Sequence, residues 1–366
     1  MTKWTGVTVA MLCATVHTAA SGRAMSLGAQ NSVVVLLHLE FRHRSVVASL
    51  LDLAGIAQAV QSTAQTASAP HYHFVSLMPQ YRRFLEQAPE DPVAAAALFR
   101  QLVITPNQRV FNAVAADWMD DRDLQRFVVD LRAGSRSMRL VDSIFPQRFE
   151  AAWTDFARTF TDLRDNVTVY LIPAPSSAVG GAVRPFGAED VMIFGAADVV
   201  TQMEAPSGFN TSVEHELTHL YQAHVNPEIR DVTADLFMNT GATQAARLYQ
   251  VMWLEGFATW VSSKLNPAAA DKEILRSQTI SAEVRARWPA LRDAILTHLD
   301  STGQSDINAF VFSGSRAMDI PPRTGYYVGM RVADALGKRY TYAELTRLSG
   351  PVLRREFEVA LRALRP

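Results

Sequence analysis

Two histidines and a glutamate in the segment His215-Glu216-Leu217-Thr218-His219 form the pattern H-E-x-x-H. On an α-helix, side chains four residues apart lie on one face, so the imidazoles of His215 and His219 can reach one metal ion. Glu216 lies on an adjacent part of the helix surface, where it can take a proton from a zinc-activated water molecule instead of binding the metal. The alternative is two surface histidines on a polar face. The pattern predicts one catalytic Zn²⁺ ion with Glu216 as the general base.

A second acidic residue, Glu255, is the predicted third ligand. It lies in a predicted helix among Trp253, Leu254, Phe257 and Trp260. A carboxylate in such apolar surroundings is rarely buried without a partner, and a metal ion supplies one. An arginine partner or contact with solvent is the alternative. Two histidines and one glutamate leave one tetrahedral position for water, which is the open arrangement of a catalytic zinc site.

The elements around these residues are predicted from caps and apolar runs. The H-E-x-x-H helix is expected to begin at a capping box, with Thr211 as the N-cap and Glu214 at N3, and to end before Pro227. Apolar runs at 167–172 and 191–194 predict two strands. The Gly180-Gly181 pair between them indicates a turn or bulge. This pair and the strand at 191–194 are also candidates for an edge along which an extended substrate pairs.

Helical patterns dominate the rest of the chain. We therefore expect an α+β fold, mostly helical, in which a small sheet precedes the H-E-x-x-H helix and a helical C-terminal part follows it. Residues 25–165 form a predicted N-terminal region, mostly helical and of unknown role. Residues 166–366 form the predicted catalytic part.

At these motifs the chain resembles the gluzincin metallopeptidases. The segment Leu254–Thr259 is similar to the helix that carries the glutamate ligand in the aminopeptidases of that group. From about Val191 to Leu364 the chain also resembles an uncharacterised bacterial family of predicted zinc-dependent proteases, including the segment 321–329 that opens a C-terminal helix. The resemblance implies a zincin-like catalytic domain, one zinc ion, and peptidase activity on a peptide or protein substrate.

Gluzincins commonly stabilise the oxyanion with a tyrosine or histidine downstream of the glutamate ligand. Tyr326 is the candidate here and Tyr327 is second, because Tyr326 falls on the less polar face of its helix. A core tyrosine bonded to a carbonyl is the alternative. Arg323 is a candidate either for binding a substrate carboxylate or for pairing with Asp319, and Thr259 either orients a ligand or only packs.

Composition and charge argue against a disordered chain and against binding to nucleic acid or an anionic membrane. Hydrophobic residues make up 48% and charged residues 19%, as in globular proteins. Lys+Arg (35) nearly balances Asp+Glu (36), so no charge excess favours nucleic acid or an anionic membrane.

The N-terminus predicts a secretory signal at residues 1–24. Lys3 precedes an apolar stretch that ends near Ala20, and small residues permit cleavage after Ala20 or Ala24. An uncleaved membrane anchor is the alternative. Cleavage would make the protein periplasmic or secreted, without a membrane partner, and would remove Cys13, the only cysteine.

Three functions fit these residues. They are a zinc peptidase, a zinc hydrolase acting on a non-peptide amide such as cell-wall material, and a non-catalytic zinc-containing binding protein. Glu216 argues against the last, because a structural zinc site needs no general base.

Overall fold

Four short strands form one mixed sheet in the order β1-β2-β4-β3. The computed structural model describes residues 72–115, 121–163, 166–174, 180–186, 189–238 and 245–365, so the predicted signal (1–24) lies outside the described residues. The strands are β1 (Tyr72–Ser76), β2 (Val167–Ile172), β3 (Gly181–Phe186) and β4 (Glu189–Gly195). β2 is parallel to both β1 and β4, whereas β3 is antiparallel to β4.

The position of each strand explains its sequence. β4 lies between two strands and residues 190–195 are all buried, which accounts for its continuous apolar run. β3 lies at the edge of the sheet, where a proline such as Pro185 is tolerated. The edge predicted for residues 191–194 is therefore wrong, because the edge strand is β3, which begins at Gly181.

Helices make up most of the described chain. The early helices are α1 (Met78–Gln87), α2 (Pro92–Phe99), α3 (Gln108–Ala115), α4 (Asp121–Ala133) and α5 (Ser135–Thr159). The middle helices are α6 (Ala196–Met203), α7 (Gly208–Val225), α8 (Pro227–Met238), α9 (Leu248–Leu265), α10 (Asp271–Leu275), α11 (Ile280–Ala286) and α12 (Trp288–His298). The last are α13 (Gln304–Ile307), α14 (Thr324–Leu336), α15 (Tyr342–Thr346) and α16 (Gly350–Ala363). Shorter π- and 3-10-helical stretches occupy Arg100–Ile104, Thr105–Asn107 and Asn308–Phe312.

The expected α+β class, mostly helical with a small sheet, is confirmed in these elements. The helix of the H-E-x-x-H motif, α7, begins one turn earlier than expected, at Gly208. Thr211 is not its N-cap, because Thr211 lies inside the helix and its hydroxyl donates to the carbonyl oxygen of Gly208 (3.0 Å). Asn226 ends the helix before Pro227.

An aromatic core joins the early helices to the sheet and to α7. Phe145 and Phe149 of α5 contact Phe194 of β4, with ring centroids 5.4 and 5.8 Å apart. Phe145 also contacts Phe209 of α7 at 5.6 Å. Together with the pairing of β1 with β2, these contacts place residues from 72 onward in the same sheet and core as the predicted catalytic part.

Helix α9 lies against both α7 and α14, so these three helices hold the predicted site. At the crossing of α9 and α14 the backbones touch, because Gly256 and Gly329 face each other without side chains. No helix among the described residues is both long and apolar enough to cross a membrane.

Candidate metal centre

One face of α7 presents the two histidines of the motif to a glutamate on α9. The imidazoles of His215 and His219 lie one turn apart, with ring centroids 4.6 Å apart. Glu255 enters from α9 and is almost fully buried, as is His219. The sequence therefore grouped these three residues correctly, although they belong to two helices separated by a further helix.

Three ligand atoms converge in this group. The Nε2 atoms of His215 and His219 are 3.0 Å apart. Oε2 of Glu255 lies 3.2 Å from Nε2 of His215 and 3.5 Å from Nε2 of His219. A tetrahedral zinc ion with bonds of about 2.0–2.1 Å needs ligand atoms about 3.3 Å from one another. The observed spacing matches this value, so these three residues can hold a metal ion.

The electrostatics of the group also fit a cation. Burial lowers the pKa of His215. Burial acts in the same direction on His219, but the negative charges of Glu255 and Glu216 outweigh it and raise the pKa of His219. Although burial opposes ionisation of Glu255, the two histidines hold the pKa of its carboxyl far below the usual range. A neutral imidazole and an ionised carboxylate are the forms that ligate a metal, and the negative charge that raises the pKa of His219 also favours a divalent cation.

Glu216 lies in the same cleft but is not one of the three converging ligands. It is buried against the backbone of edge strand β3, where a Cβ atom at Gly181 would lie 2.8 Å from Cδ of Glu216. Gly181 therefore allows a close approach between β3 and α7. The Glu216 carboxylate therefore lies beside the candidate metal centre. Backbone groups of the edge strand line the same cleft.

The two candidate tyrosines point to different places. The ring of Tyr326 is stacked on His215, with centroids 6.1 Å apart, and it lines the cleft. Burial and the charge of Glu255 raise the pKa of Tyr326 well above its usual value of 10, against the opposing charge of Arg323. Tyr327 is also buried, contrary to its expected polar face, and its hydroxyl accepts a hydrogen bond from Arg331 (2.9 Å) away from the cleft. The structure thus brings Tyr326 to the site and separates Tyr327 from it.

Thr259 bonds the backbone of Glu255 and not its carboxylate. Its hydroxyl is fully buried and donates to the backbone carbonyl of Glu255 within α9 (2.7 Å). It stabilises the helix that carries the ligand and does not orient the carboxylate.

Gln222 is a residue near the site that the sequence analysis missed. It lies on α7 one turn after His219, it is fully buried, and both of its amide atoms lack a hydrogen bond of standard geometry. Nδ1 of His219 is also buried and also lacks a hydrogen bond of standard geometry. The sequence shows that Gln222 follows His219 by three residues on one helix. It does not show that both side chains are buried, which is what makes this spacing informative.

Comparisons of the chain with protein families, with curated proteins and with solved structures found no match.

Proposed function

We propose that this protein is a zinc-dependent hydrolase of the gluzincin type that cleaves peptide bonds. The observation that carries the proposal is the convergence of three ligand atoms, from His215, His219 and Glu255, in one cleft with Glu216 and Tyr326. A site that only stabilised the fold would need neither an uncoordinated carboxylate beside the metal nor a cleft open to solvent. We also propose that the fold formed by these helices and the antiparallel edge strand is zincin-like.

Each residue has a defined role in this reaction. A bound zinc ion supplies Lewis acidity and lowers the pKa of a water molecule towards about 7. Glu216 accepts a proton from the attacking water and later returns it to the leaving amine. Tyr326 donates a hydrogen bond to the developing oxyanion, and its raised pKa keeps the hydroxyl protonated near neutral pH.

The shape of the cleft favours a peptide over other amides. It has a volume of about 170 Å³ and runs beside Gly181, Ala182 and Val183 of the edge strand. The outer edge of a sheet offers backbone donors and acceptors that an extended peptide can pair with. We further propose, from the N-terminal segment of the sequence, that the reaction takes place outside the cytoplasm.

The experiment compares the purified protein with Glu216→Gln and with Glu214→Gln as a matched control. Glu214 lies two residues before Glu216 on the same helix, is also buried, and accepts a hydrogen bond from Asn266. Bound zinc is measured in each protein, and cleavage is profiled with a diverse peptide library. We expect one zinc per chain in all three proteins and cleavage reduced about 10²- to 10⁴-fold in Glu216→Gln only.

A Tyr326→Phe variant tests the second role. Loss of one oxyanion donor lowers kcat about 10²- to 10³-fold and leaves zinc content unchanged. If both proteins bind one equivalent of zinc and the parent protein and Glu216→Gln cleave peptides equally, the proposed function is wrong.

A further inference from the structure

Three arginines line the cleft beside the metal centre: Arg184, Arg276 and Arg323. Arg276 forms an ion pair with Asp198 (3.3 Å). Arg184 donates to backbone carbonyl oxygens, and its charge faces the carboxylates of the site. Positive charge in a cleft of a peptidase selects for negative charge in its substrate, so the environment of each arginine matters.

Arg323 is held in place by contacts other than an ion pair with any acidic residue of the described part of the chain. Its Nε donates to the carbonyl oxygen of Leu275 (2.8 Å), and its guanidinium lies over the ring of Tyr326, with Cζ 3.7 Å from the centroid. Asp319, the acidic partner that the sequence suggested, instead pairs with Arg287 (3.0 Å). Among the described residues, no acceptor bonds the two Nη groups of Arg323.

The backbone also fixes the direction of this side chain. Arg323 has a φ of 63°, in the left-handed region that non-glycine residues rarely adopt, immediately before α14. Its N–H donates to the carbonyl oxygen of Phe312 (3.2 Å), which helps to hold that conformation. Strained backbone persists where the surrounding structure enforces it, and such positions concentrate at ligand sites.

We propose that the Nη groups of Arg323 bind a carboxylate of the substrate close to the scissile bond. The planar guanidinium presents two parallel N–H donors, which match the two oxygens of a carboxylate. The side chain is partly exposed in the cleft and stacks on Tyr326, whose ring stacks in turn on His215. The Arg323 guanidinium lies 3.7 Å from the ring centroid of Tyr326, and that centroid lies 6.1 Å from the ring centroid of His215. Because an extended chain advances about 3.3 Å per residue, a carboxylate held there lies within about three residues of the bond that is cleaved. This inference rests on the proposed function, and the carboxylate is either the C-terminus of a peptide or an Asp or Glu side chain.

The experiment uses the zinc-loaded protein and sets of matched peptides that it cleaves. Each set contains a parent peptide, its C-terminally amidated form, and a form in which the acidic residue nearest the scissile bond is replaced by its amide. We expect one of these two neutralisations to lower kcat/KM about 10- to 100-fold, mainly through KM, as for the loss of a charged hydrogen bond. The neutralisation that has the effect identifies the source of the carboxylate.

Variants of Arg323 then assign the effect. In Arg323→Gln the same neutralisation should change kcat/KM less than about 3-fold. Arg287→Gln is the matched control: it removes the same charge from a residue near the same loop that does not line the cleft, and it should behave as the parent protein. Arg323→Lys keeps the charge without the two parallel donors and should give an intermediate effect, which keeps the test decisive if Arg323→Gln unfolds.

Two results would overturn the carboxylate site. One is an equal effect of neutralisation in the parent protein and Arg323→Gln, or no effect in either. The other is an equal loss of kcat for charged and neutral peptides in Arg323→Gln, which would mean that Arg323 acts only through Tyr326. Direct measurement of peptide binding separates this inference from the proposed function. If peptides bind through their carboxylate in an Arg323-dependent way, but neither the parent protein nor any variant cleaves them, the carboxylate site is supported and the peptidase activity is rejected.

Discussion

At the residue scale, the orientation of His219 depends on what its second ring nitrogen contacts. Nδ1 of His219 is buried, as are both amide atoms of Gln222, and none of them has a hydrogen bond of standard geometry. The amide is close enough to contribute to the raised pKa of His219. A ligand histidine usually donates its other N–H to an acceptor that fixes the ring, and Oε1 of Gln222 is the acceptor available here. We infer that the two side chains pair when the metal is bound.

This pairing predicts that Gln222→Leu weakens zinc binding. The substitution removes the acceptor and introduces an apolar side chain of similar size. The expected loss of zinc affinity is therefore about 10- to 100-fold. Affinity is measured by competition with a chromogenic chelator at fixed pH, independently of any activity. Gln80→Leu is the control, because Gln80 also has a buried, unpartnered Oε1 but lies on α1, away from the site. Equal zinc affinity in Gln222→Leu and the parent protein would contradict the pairing.

At the scale of elements, the site depends on how closely α9 approaches α14. Gly256 and Gly329 meet at the crossing, where a Cβ on either residue would overlap the backbone of the other helix. Glu255 immediately precedes Gly256, and Tyr326 lies one turn before Gly329. The two glycines therefore allow the approach that brings Tyr326, the proposed oxyanion donor, next to Glu255, the proposed third ligand.

Gly329→Ala should force the two helices apart. We expect a loss of about 1–3 kcal/mol in the free energy of unfolding, as for other overpacked sites, together with a lower kcat because Tyr326 moves with α14. Thermal melting measures the first and peptide cleavage the second. Gly134→Ala is the control, because a Cβ there meets only the carbonyl oxygen of Asp130 at 3.6 Å, an ordinary contact. A melting temperature equal in the two variants would show that the crossing is not tightly constrained.

The elements also show which features the sequence could specify. The strands at 167–172 and near 191–194, and the helices that carry the ligands, were predicted because apolar periodicity is a local signal. The pairing of β1 with β2 and the position of β3 at the edge were not, because register between distant segments leaves no local pattern. The start of α7 was misplaced because Thr211 and Glu214 match a capping box by spacing, whereas in the fold both are buried inside the helix.

The candidate site divides in the same way. The three ligand residues were predicted because H-E-x-x-H fixes two of them by helix geometry and the apolar surroundings of Glu255 imply a partner. Roles that depend on tertiary contacts were not predictable. Arg323 and Asp319 were plausible partners from their spacing, and only the fold shows that Asp319 pairs with Arg287.

At the scale of the whole molecule, the candidate metal centre is held by a core built from other residues. The described residues belong to one compact unit, whose aromatic core joins α5, β4 and α7. Glu255 raises the pKa of His219, and the two histidines lower the pKa of Glu255, so the three side chains stabilise one another without a cation. We therefore expect removal of the metal to lower stability without unfolding the protein.

Chelation tests this expectation quantitatively. A ligand that binds only the folded state stabilises it by RT ln(1 + [L]/Kd), which is about 4 kcal/mol when free zinc is 1,000 times the Kd. For a unit of this size, the melting temperature should fall by about 10 °C on chelation and recover on addition of zinc. His215→Ala removes one ligand, so its melting temperature should hardly respond to chelator or to zinc. A chelator that strips the zinc and leaves the melting temperature of the parent protein unchanged would show that the three ligands are not coupled to folding. Equal responses of the parent protein and His215→Ala would show instead that the zinc is bound elsewhere.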